Sequence, residues 1–347
     1  MTMHQPCCQA MHDAKAEKYF SVFFCFGKWG GIHYYGSRNN EVDLMSRYLV
    51  FDWGGTFMKY ALMNEEADIL EKGKVKSPGK KDTVESFFAV IDEIVEKYPG
   101  IDGIAISSPG IINSTQGVID VVGVFPYLQK LPLTQMFQER YGVPASVEND
   151  GKAAALAEVW KGNLSDVRDG AVFLIGTSIG GGIVLDGKLR RGKDFFAGEY
   201  SSMCVNIASP ASTSSYVAQL GTSGLIEKVM GYMELDEKID GEQAFAYINA
   251  GEPNALKALK KYTDDLALTI FSINVLLDVE KVVIGGGISQ QPLLLEYLKQ
   301  SIQDIRTYHP DFLGGIQLPL PQVDTCRFYN DANLIGALYH FLYETAE

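Results

Sequence analysis

The sequence predicts an α/β fold of two lobes, each carrying a sheet with a glycine hairpin, facing one another across a cleft. Two stretches carry that prediction. Leu49 to Asn64, LVFDWGGTFMKYALMN, reads as an apolar β-prone strand, a tight turn at Gly54 and Gly55, and a second strand. Val172 to Arg190, VFLIGTSIGGGIVLDGKLR, repeats the plan with Gly176, Thr177 and Ser178, a triple glycine at Gly180, Gly181 and Gly182, and a further strand. Glycines at a hairpin tip take up backbone angles other residues avoid and bring main-chain N–H groups close to a ligand. Thr56 adds a hydroxyl and Asp52 a carboxylate, so the first turn suits a phosphate and a cation. One Asp beside a glycine turn is as readily a plain hairpin; two copies favour a pair of loops holding the two ends of a triphosphate.

The 347 residues suggest about two domains with ample core. A composition 46% hydrophobic and 21% charged is ordinary for a soluble enzyme. The net charge of −13 argues against a nucleic-acid surface, which needs a basic patch. An anionic nucleotide then depends on glycine-loop amides, a few placed cations and Mg²⁺. No run of 18 apolar residues occurs, so no membrane span is expected. Residues 1–44 differ from the rest: they hold Cys7, Cys8 and Cys25, His4, His12 and His33, and an aromatic cluster, YFSVFFCF, without periodicity. Lys15 and Lys18 imitate a signal peptide, but no small-residue cleavage site follows. Met45 reads as the natural start, and residues 1–44 as a disordered or non-native extension. Cys204 and Cys326, isolated in the body, fit a reducing cytoplasm and a packing role.

After the first hairpin, ADILEKGKVKSP should complete a three-stranded meander. Lys80 to Tyr98 places Val84, Phe87, Phe88, Ile91 and Ile94 on a helical stripe, with Asp82 near its start. Ile101 to Ser107 is a short buried strand leading into Ser108, Pro109 and Gly110, either an ordinary turn or a ligand loop at a strand's carboxyl end. An irregular glycine-rich stretch to Phe125, a helix at Leu133–Tyr141 and a strand at Pro144–Glu148 follow. That strand exits into Glu148, Asn149 and Asp150 and an alanine-rich helix, where Asn149 or Asp150 is either an N-cap or a site residue. Arg190, Arg191 and Lys193 read as a solvated turn. Helices are expected at Thr222–Met230, Glu242–Asn249 and Asn254–Asp278, then a strand into Gly285, Gly286 and Gly287. A glycine-rich strand-to-helix turn lets a base or phosphate lie against backbone. A last strand, Val323–Tyr329, precedes the amphipathic helix of NDANLIGALYHFLYE, on which His340 reads as a packing residue; His309 reads as an exposed loop residue. Neither a dinucleotide-binding fingerprint nor a P-loop motif is present.

The duplicated glycine hairpin resembles the sugar kinase, heat-shock ATPase and actin superfamily, of actin-like or ribonuclease H-like ATPase fold. Glu148-Asn149-Asp150 before an alanine helix, and Phe195 to Met203, FFAGEYSSM, resemble the ROK family (repressors, open reading frames, kinases). The resemblance implies a lobe of residues 45–152 plus 331–347, with the terminal helix crossing back, and a second lobe of residues 153–330. It implies Asp150 as general base, and Asn149, Glu199, Gly110 and Ser202 around a sugar. ATP and its phosphates fall to Asp52, Gly54, Gly55, Thr56, Lys59, Gly176, Thr177, Gly180 to Gly182 and Gly285 to Gly287, with Mg²⁺ on Asp52 through water. For Lys59 an exposed strand position is the alternative. Family members usually carry Asn at the place of Lys152. They also carry a His and a cysteine cluster for zinc, where this chain has Ser202 and NIASPASTSSYVAQ; Cys204 alone cannot hold the metal, so no zinc is expected. Gln219 stands near the place of a further sugar-binding Glu. The zinc-less loop resembles the β-glucoside kinase branch, which implies phosphorylation of the 6-hydroxyl of the non-reducing glucose of a cellobiose-type disaccharide. Glucose and N-acetylmannosamine are the alternative acceptors, and a sugar-responsive transcription regulator or sugar sensor the alternative of another class. Residues 1–44 are too short for the regulators' DNA-binding domain. The resemblance also implies a dimer or tetramer.

Overall fold

The computed structural model describes residues 22–26, 32–36, 46–308 and 318–345; most of the leader and His309 lie outside them. In the leader, where the sequence carries no periodic signal, β1 (Val22–Phe26) and β2 (Ile32–Gly36) pair as an antiparallel hairpin. Residues from Ser46 onward form a separate compact unit.

That unit contains the same sheet twice. Its first half runs β3 (Tyr48–Trp53), β4 (Phe57–Met63), β5 (Ile69–Lys76), α1 (Val84–Val95), β6 (Gly103–Ser108), β7 (Ile111–Asn113), β8 (Val118–Val121), α2 (Leu133–Tyr141), β9 (Ala145–Asn149) and α3 (Asp150–Lys161). The second runs β10 (Gly170–Ile175), β11 (Ile179–Leu185), β12 (Lys188–Arg190), α4 (Thr222–Met233), α5 (Gly241–Asn249), α6 (Pro253–Leu277), β13 (Lys281–Gly286), α7 (Pro292–Tyr308), β14 (Gln322–Thr325) and α8 (Ala332–Tyr343). The sheet orders are β5-β4-β3-β6-β9 and β12-β11-β10-β13-β14. In each, an antiparallel meander is flanked on its first strand by two parallel strands. Central strands β3 and β6 are buried along their whole length, which explains why YLVFDW and GIAISS read as near-continuous apolar runs rather than alternating ones.

Each sheet has its own core. Under the first, Trp53 meets Phe87, Phe125 and Phe137 from α1, α2 and the segment between them, with ring centroids 4.9–6.4 Å apart. The cap of α1 is Thr83, in a reciprocal capping box with Ser86. Under the second sheet, Leu259, Tyr262, Leu266 and Ile270 of the long helix α6 face Phe173 and Ile284 in one cluster. The stretch expected to be irregular carries the β7–β8 hairpin, whose Ile112 and Ile119 are fully buried; strands this short give too few residues for a period to show.

The halves exchange their last helices. α3 leaves the first sheet and packs on β10 and β11 of the second, while α8 leaves the second and packs on β3, β6 and β9 of the first; the two helices also pack against each other. Their contact is made possible by Gly336, where an added Cβ would lie 1.6 Å from the Ala153 carbonyl oxygen. Gly336→Ala should therefore push the helices apart, at about the 1–3 kcal/mol typical of overpacking. The urea midpoint reads this directly; an unchanged midpoint would show that the helices slide without cost.

Candidate active site

Three parallel strands end side by side. Asp52 of β3 lies opposite Ser107 of β6, and Ser107 opposite Glu148 of β9, so Asp52, Ser107 and the Glu148-Asn149-Asp150 exit share the carboxyl edge of one sheet. Such edges are where open α/β sheets bind ligands. Asn149 is the N-cap of α3: its side-chain oxygen accepts the Lys152 N–H at 3.0 Å, and its amide donates to the Gly110 carbonyl at 2.8 Å and to Asp150 Oδ1 at 3.1 Å. Asp150 also accepts its neighbour's N–H, from Gly151, at 2.8 Å. Both ends of the amide of Asn149 are thus engaged in holding Asp150 and the Gly110 loop together.

The Asp150 carboxyl is pushed up to about 6, first by burial and then by the nearby carboxylates of Asp52 and Glu199, against the opposing Gly151 N–H and the Lys152 cation. Asp52 is buried: Oδ1 accepts Ser107 Oγ–H at 3.2 Å and the Asn333 amide at 3.0 Å, and Oδ2 pairs with Lys59 Nζ at 3.2 Å. Lys59 also donates to the Asn330 carbonyl at 3.3 Å, so it is neither a free strand lysine nor aimed away from the site.

The glycines divide into two groups. Gly54, Gly55 and Thr56 form the β3–β4 turn, with Gly55 and Thr56 exposed. Contrary to expectation, neither Gly54 nor Gly55 has a left-handed backbone. Gly54 is required instead by closure of the turn, since a Cβ there would sit 2.7 Å from the Phe57 oxygen that accepts the Gly54 N–H. Gly176 and Thr177 are exposed in the β10–β11 turn. The triple glycine is not in that turn but inside β11, paired with Leu174, Phe173 and Val172. Gly181 and Gly182 lie under α3: a Cβ on Gly151 would come 2.6 Å from the Gly181 nitrogen, and one on Gly182 2.6 Å from the Ala155 Cβ. They serve the close approach of the Asp150 helix to the second sheet, and Gly180 alone keeps open space around it. Similarly, Gly285 is buried against Leu174 and Cys326, and Gly286, at φ +93°, faces the Ile175 carbonyl; only Gly287 is exposed with open space around it.

Glu199 follows β12, and its Oε1 accepts from Lys152 Nζ at 2.9 Å. The Lys152 side chain is fully buried, while that of Glu199 is one quarter exposed. Ser202 is exposed, as is Gln219. Its neighbour Ser201, which the sequence did not single out, bonds Ser178 Oγ at 2.5 Å, accepts the Ile179 N–H and donates to the Ile179 carbonyl, tying this loop to the second glycine turn. The basic run is also corrected: Arg191 is largely buried, its Nε donating to Glu148 Oε2 at 2.7 Å and its NH2 group to Glu344. His340 Nδ1 is 3.0 Å from Glu344 Oε2, so His340 joins this polar network as well as packing. Cys204 is exposed, against its expected packing role, whereas Cys326 is buried.

The ROK family model matches residues 48–342. This chain belongs to the ROK family. Within it, the chain is 28% identical to a beta-glucoside kinase of Listeria monocytogenes, over 85% of this chain and 97% of that protein. A beta-glucoside kinase of Klebsiella pneumoniae is 29% identical over 84% and 94%. ROK relatives named for other acceptors, a glucokinase of Thermotoga maritima and an N-acetylmannosamine kinase of Vibrio cholerae, match at 27% and 26%. Among solved structures, a ROK family protein of Streptococcus pneumoniae in complex with sucrose superposes with a TM-score of 0.76 at 27% identity, covering 86% of this chain and 99% of that one. The duplicated sheet is thus the ROK form of the actin-like ATPase fold. No helix among the described residues is long and apolar enough to cross a membrane.

Proposed function

We propose that this chain transfers the γ-phosphoryl group of ATP to a sugar hydroxyl, and that its preferred acceptor is the 6-hydroxyl of the non-reducing glucose of a β-glucoside such as cellobiose. The chain is a carbohydrate kinase of the ROK family. The observation that carries the reading is Asp150, fixed by Asn149 and Gly151 at the carboxyl edge of the first sheet, on a helix that glycines bring hard against the second. A carboxylate with a pKa pushed up to about 6 is still ionised at neutral pH and basic enough to accept the proton of an attacking hydroxyl.

The acceptor is held by Glu199, the Gly110 loop and Ser202, and by Asn149 through the lone pair of its side-chain oxygen that the Lys152 N–H leaves free. In the turns Gly54-Gly55-Thr56 and Gly176-Thr177 the Gly54 and Gly176 N–H groups close the turns on the Phe57 and Ser178 oxygens, leaving the N–H groups of Gly55, Thr56 and Thr177, beside Gly180, to face the phosphates, and Gly287, at the end of the Gly285–Gly286 strand, lies open for the adenosine. Lys59 acts on the phosphates only through Asp52, whose charge it balances. The Asp52 carboxylate is a hard oxygen donor that fits Mg²⁺ and would hold it through water. When bound, Mg²⁺ neutralises charge on the transferring phosphates. Residues 45–152 with 331–347, and 153–330, serve as the two bodies that close over the sugar and exclude water.

β-Glucosides are favoured over single sugars by two observations. The beta-glucoside kinases match at 28–29% identity, against 26–27% for the glucokinase and the N-acetylmannosamine kinase, and the Ser202 region is exposed and built of small residues. The test is ADP release by the full chain with Mg-ATP and glucose, N-acetylmannosamine, fructose, cellobiose or gentiobiose. Turnover on the disaccharides well above that on glucose is expected. Turnover on a monosaccharide alone keeps the kinase and discards the acceptor; none on any sugar discards both.

A further inference from the structure

A lysine ammonium with no solvent exposure is rare, because taking an ammonium out of water costs several kcal/mol unless a partner compensates. Lys152 is such a group. It sits in the first turn of α3, two residues beyond Asp150, and its Nζ lies 2.9 Å from Glu199 Oε1. Its own N–H is the one that the Asn149 cap accepts, so the position is fixed from both backbone and side chain. Glu199, by contrast, stands on a chain segment with little regular structure: Phe195 and Gly198 have left-handed backbones at φ +56° and +84°, and only a single 3₁₀ turn, Tyr200–Ser202, follows. A carboxylate on such a loop has no fixed direction of its own.

Resting on the sugar-kinase reading above, we propose that Lys152 is a positioning residue for the acceptor: it anchors one oxygen of Glu199 to the Asp150 helix and leaves the other, on the exposed side, to receive sugar hydroxyls. The ion pair crosses from α3 to the loop after β12, so the group that grips the sugar and the group that takes its proton are held in one frame. At Asp150 on α3 the same ammonium opposes the carboxylates of Asp52 on β3 and Glu199 on the loop. Removing it therefore has two effects that simple destabilisation does not produce. Glu199 loses its direction, and Asp150 becomes harder to ionise.

The test uses the full chain, with acceptor and ATP kinetics measured from pH 5 to 9 and sugar binding measured by calorimetry for wild type, Lys152→Met, Lys152→Asn and Glu199→Gln. Lys152→Met is expected to raise the acceptor KM by about tenfold or more, leave the ATP KM within about twofold, and move the acid limb of kcat upward in pH. Glu199→Gln, a change at a partly exposed side chain, should raise the acceptor KM similarly, and the double variant should be no worse than the worse single one, because both changes remove one interaction. Lys152→Asn should behave like Lys152→Met, since its amide stops two atoms short of the place of Lys152 Nζ and carries no charge. Acceptor KM within twofold of wild type and an unmoved acid limb would overturn the proposal, even if Lys152→Met were less stable. Additive losses in the double variant would overturn it as well, and Glu199→Gln carries the test should Lys152→Met fail to fold. A wild type that binds sugar without turnover overturns the kinase reading, and calorimetry then still decides for Lys152; one that binds no sugar overturns both.

Discussion

Asp150→Asn is expected to lower sugar-dependent ATP turnover by about 10²- to 10⁴-fold, the range typical for removal of a general base, while ATP still binds. The substitution keeps the shape and the Gly151 N–H contact but removes the proton acceptor. Wild type has a further signature. Only ionised Asp150 can accept a proton, and its carboxyl lies at about 6, raised first by burial and then by Asp52 and Glu199. Turnover should consequently fall as pH drops through about 6, above the range of an ordinary carboxylate. In Asp150→Asn the residual turnover should lose that limb. A variant within threefold of wild type, or one that keeps the limb, removes Asp150 from the role of base.

The largest loss of stability is expected from Arg191→Met. Glu148 has no solvent exposure, and Arg191 is its ion-pair partner. Taking away one member of a buried pair leaves an uncompensated charge, at about 3–5 kcal/mol. The damage reaches the site, because Glu148 Oε1 accepts the Asn149 N–H at 2.8 Å. The pH dependence has a defined sign. Burial alone would raise the Glu344 pKa, yet the hydrogen bond from His340 and the charge of Arg191 hold it below its ordinary 4.5. A group depressed in the folded state contributes stability above its unfolded pKa and loses it as pH falls through the folded one. Wild type and variant should hence differ most near neutral pH and converge below pH 4.5, as chemical denaturation at several pH values would show. A gap independent of pH would mean that Glu344 takes no part.

What the sequence made legible follows from the range of the forces involved. The hairpins were legible because strand propensity and glycine turns act between near neighbours, and both were found where LVFDWGGTFMKYALMN and its second copy put them. The strand, the polar exit and the alanine helix around Asp150 were legible for the same reason, being contiguous, whereas the role given to Asp150 came from the resemblance to the family. Lys152 and Arg191 were not legible. A charged side chain belongs in water unless a partner meets it, and their partners Glu199 and Glu148 lie 47 and 43 residues away in the chain. The triple glycine was misplaced for a related reason. Three glycines near a turn look alike at its tip or one strand further on, and the neighbour that decides between them, α3, arrives only through tertiary packing.

The exchange of α3 and α8 also dictates an order of assembly. Tyr48 of the first strand packs on Phe341 at 5.5 Å between ring centroids, and Phe341 also occupies the space over Gly103. During synthesis the first sheet leaves the ribosome long before the helix that covers one of its faces is made, an interval on the order of ten seconds at about 5–20 residues per second. Through that interval a row of apolar strand residues waits for a helix not yet made. A premature stop just before Ala332 would spare every strand of the second sheet and disable the first, so the first sheet depends on a helix made after every strand of the second.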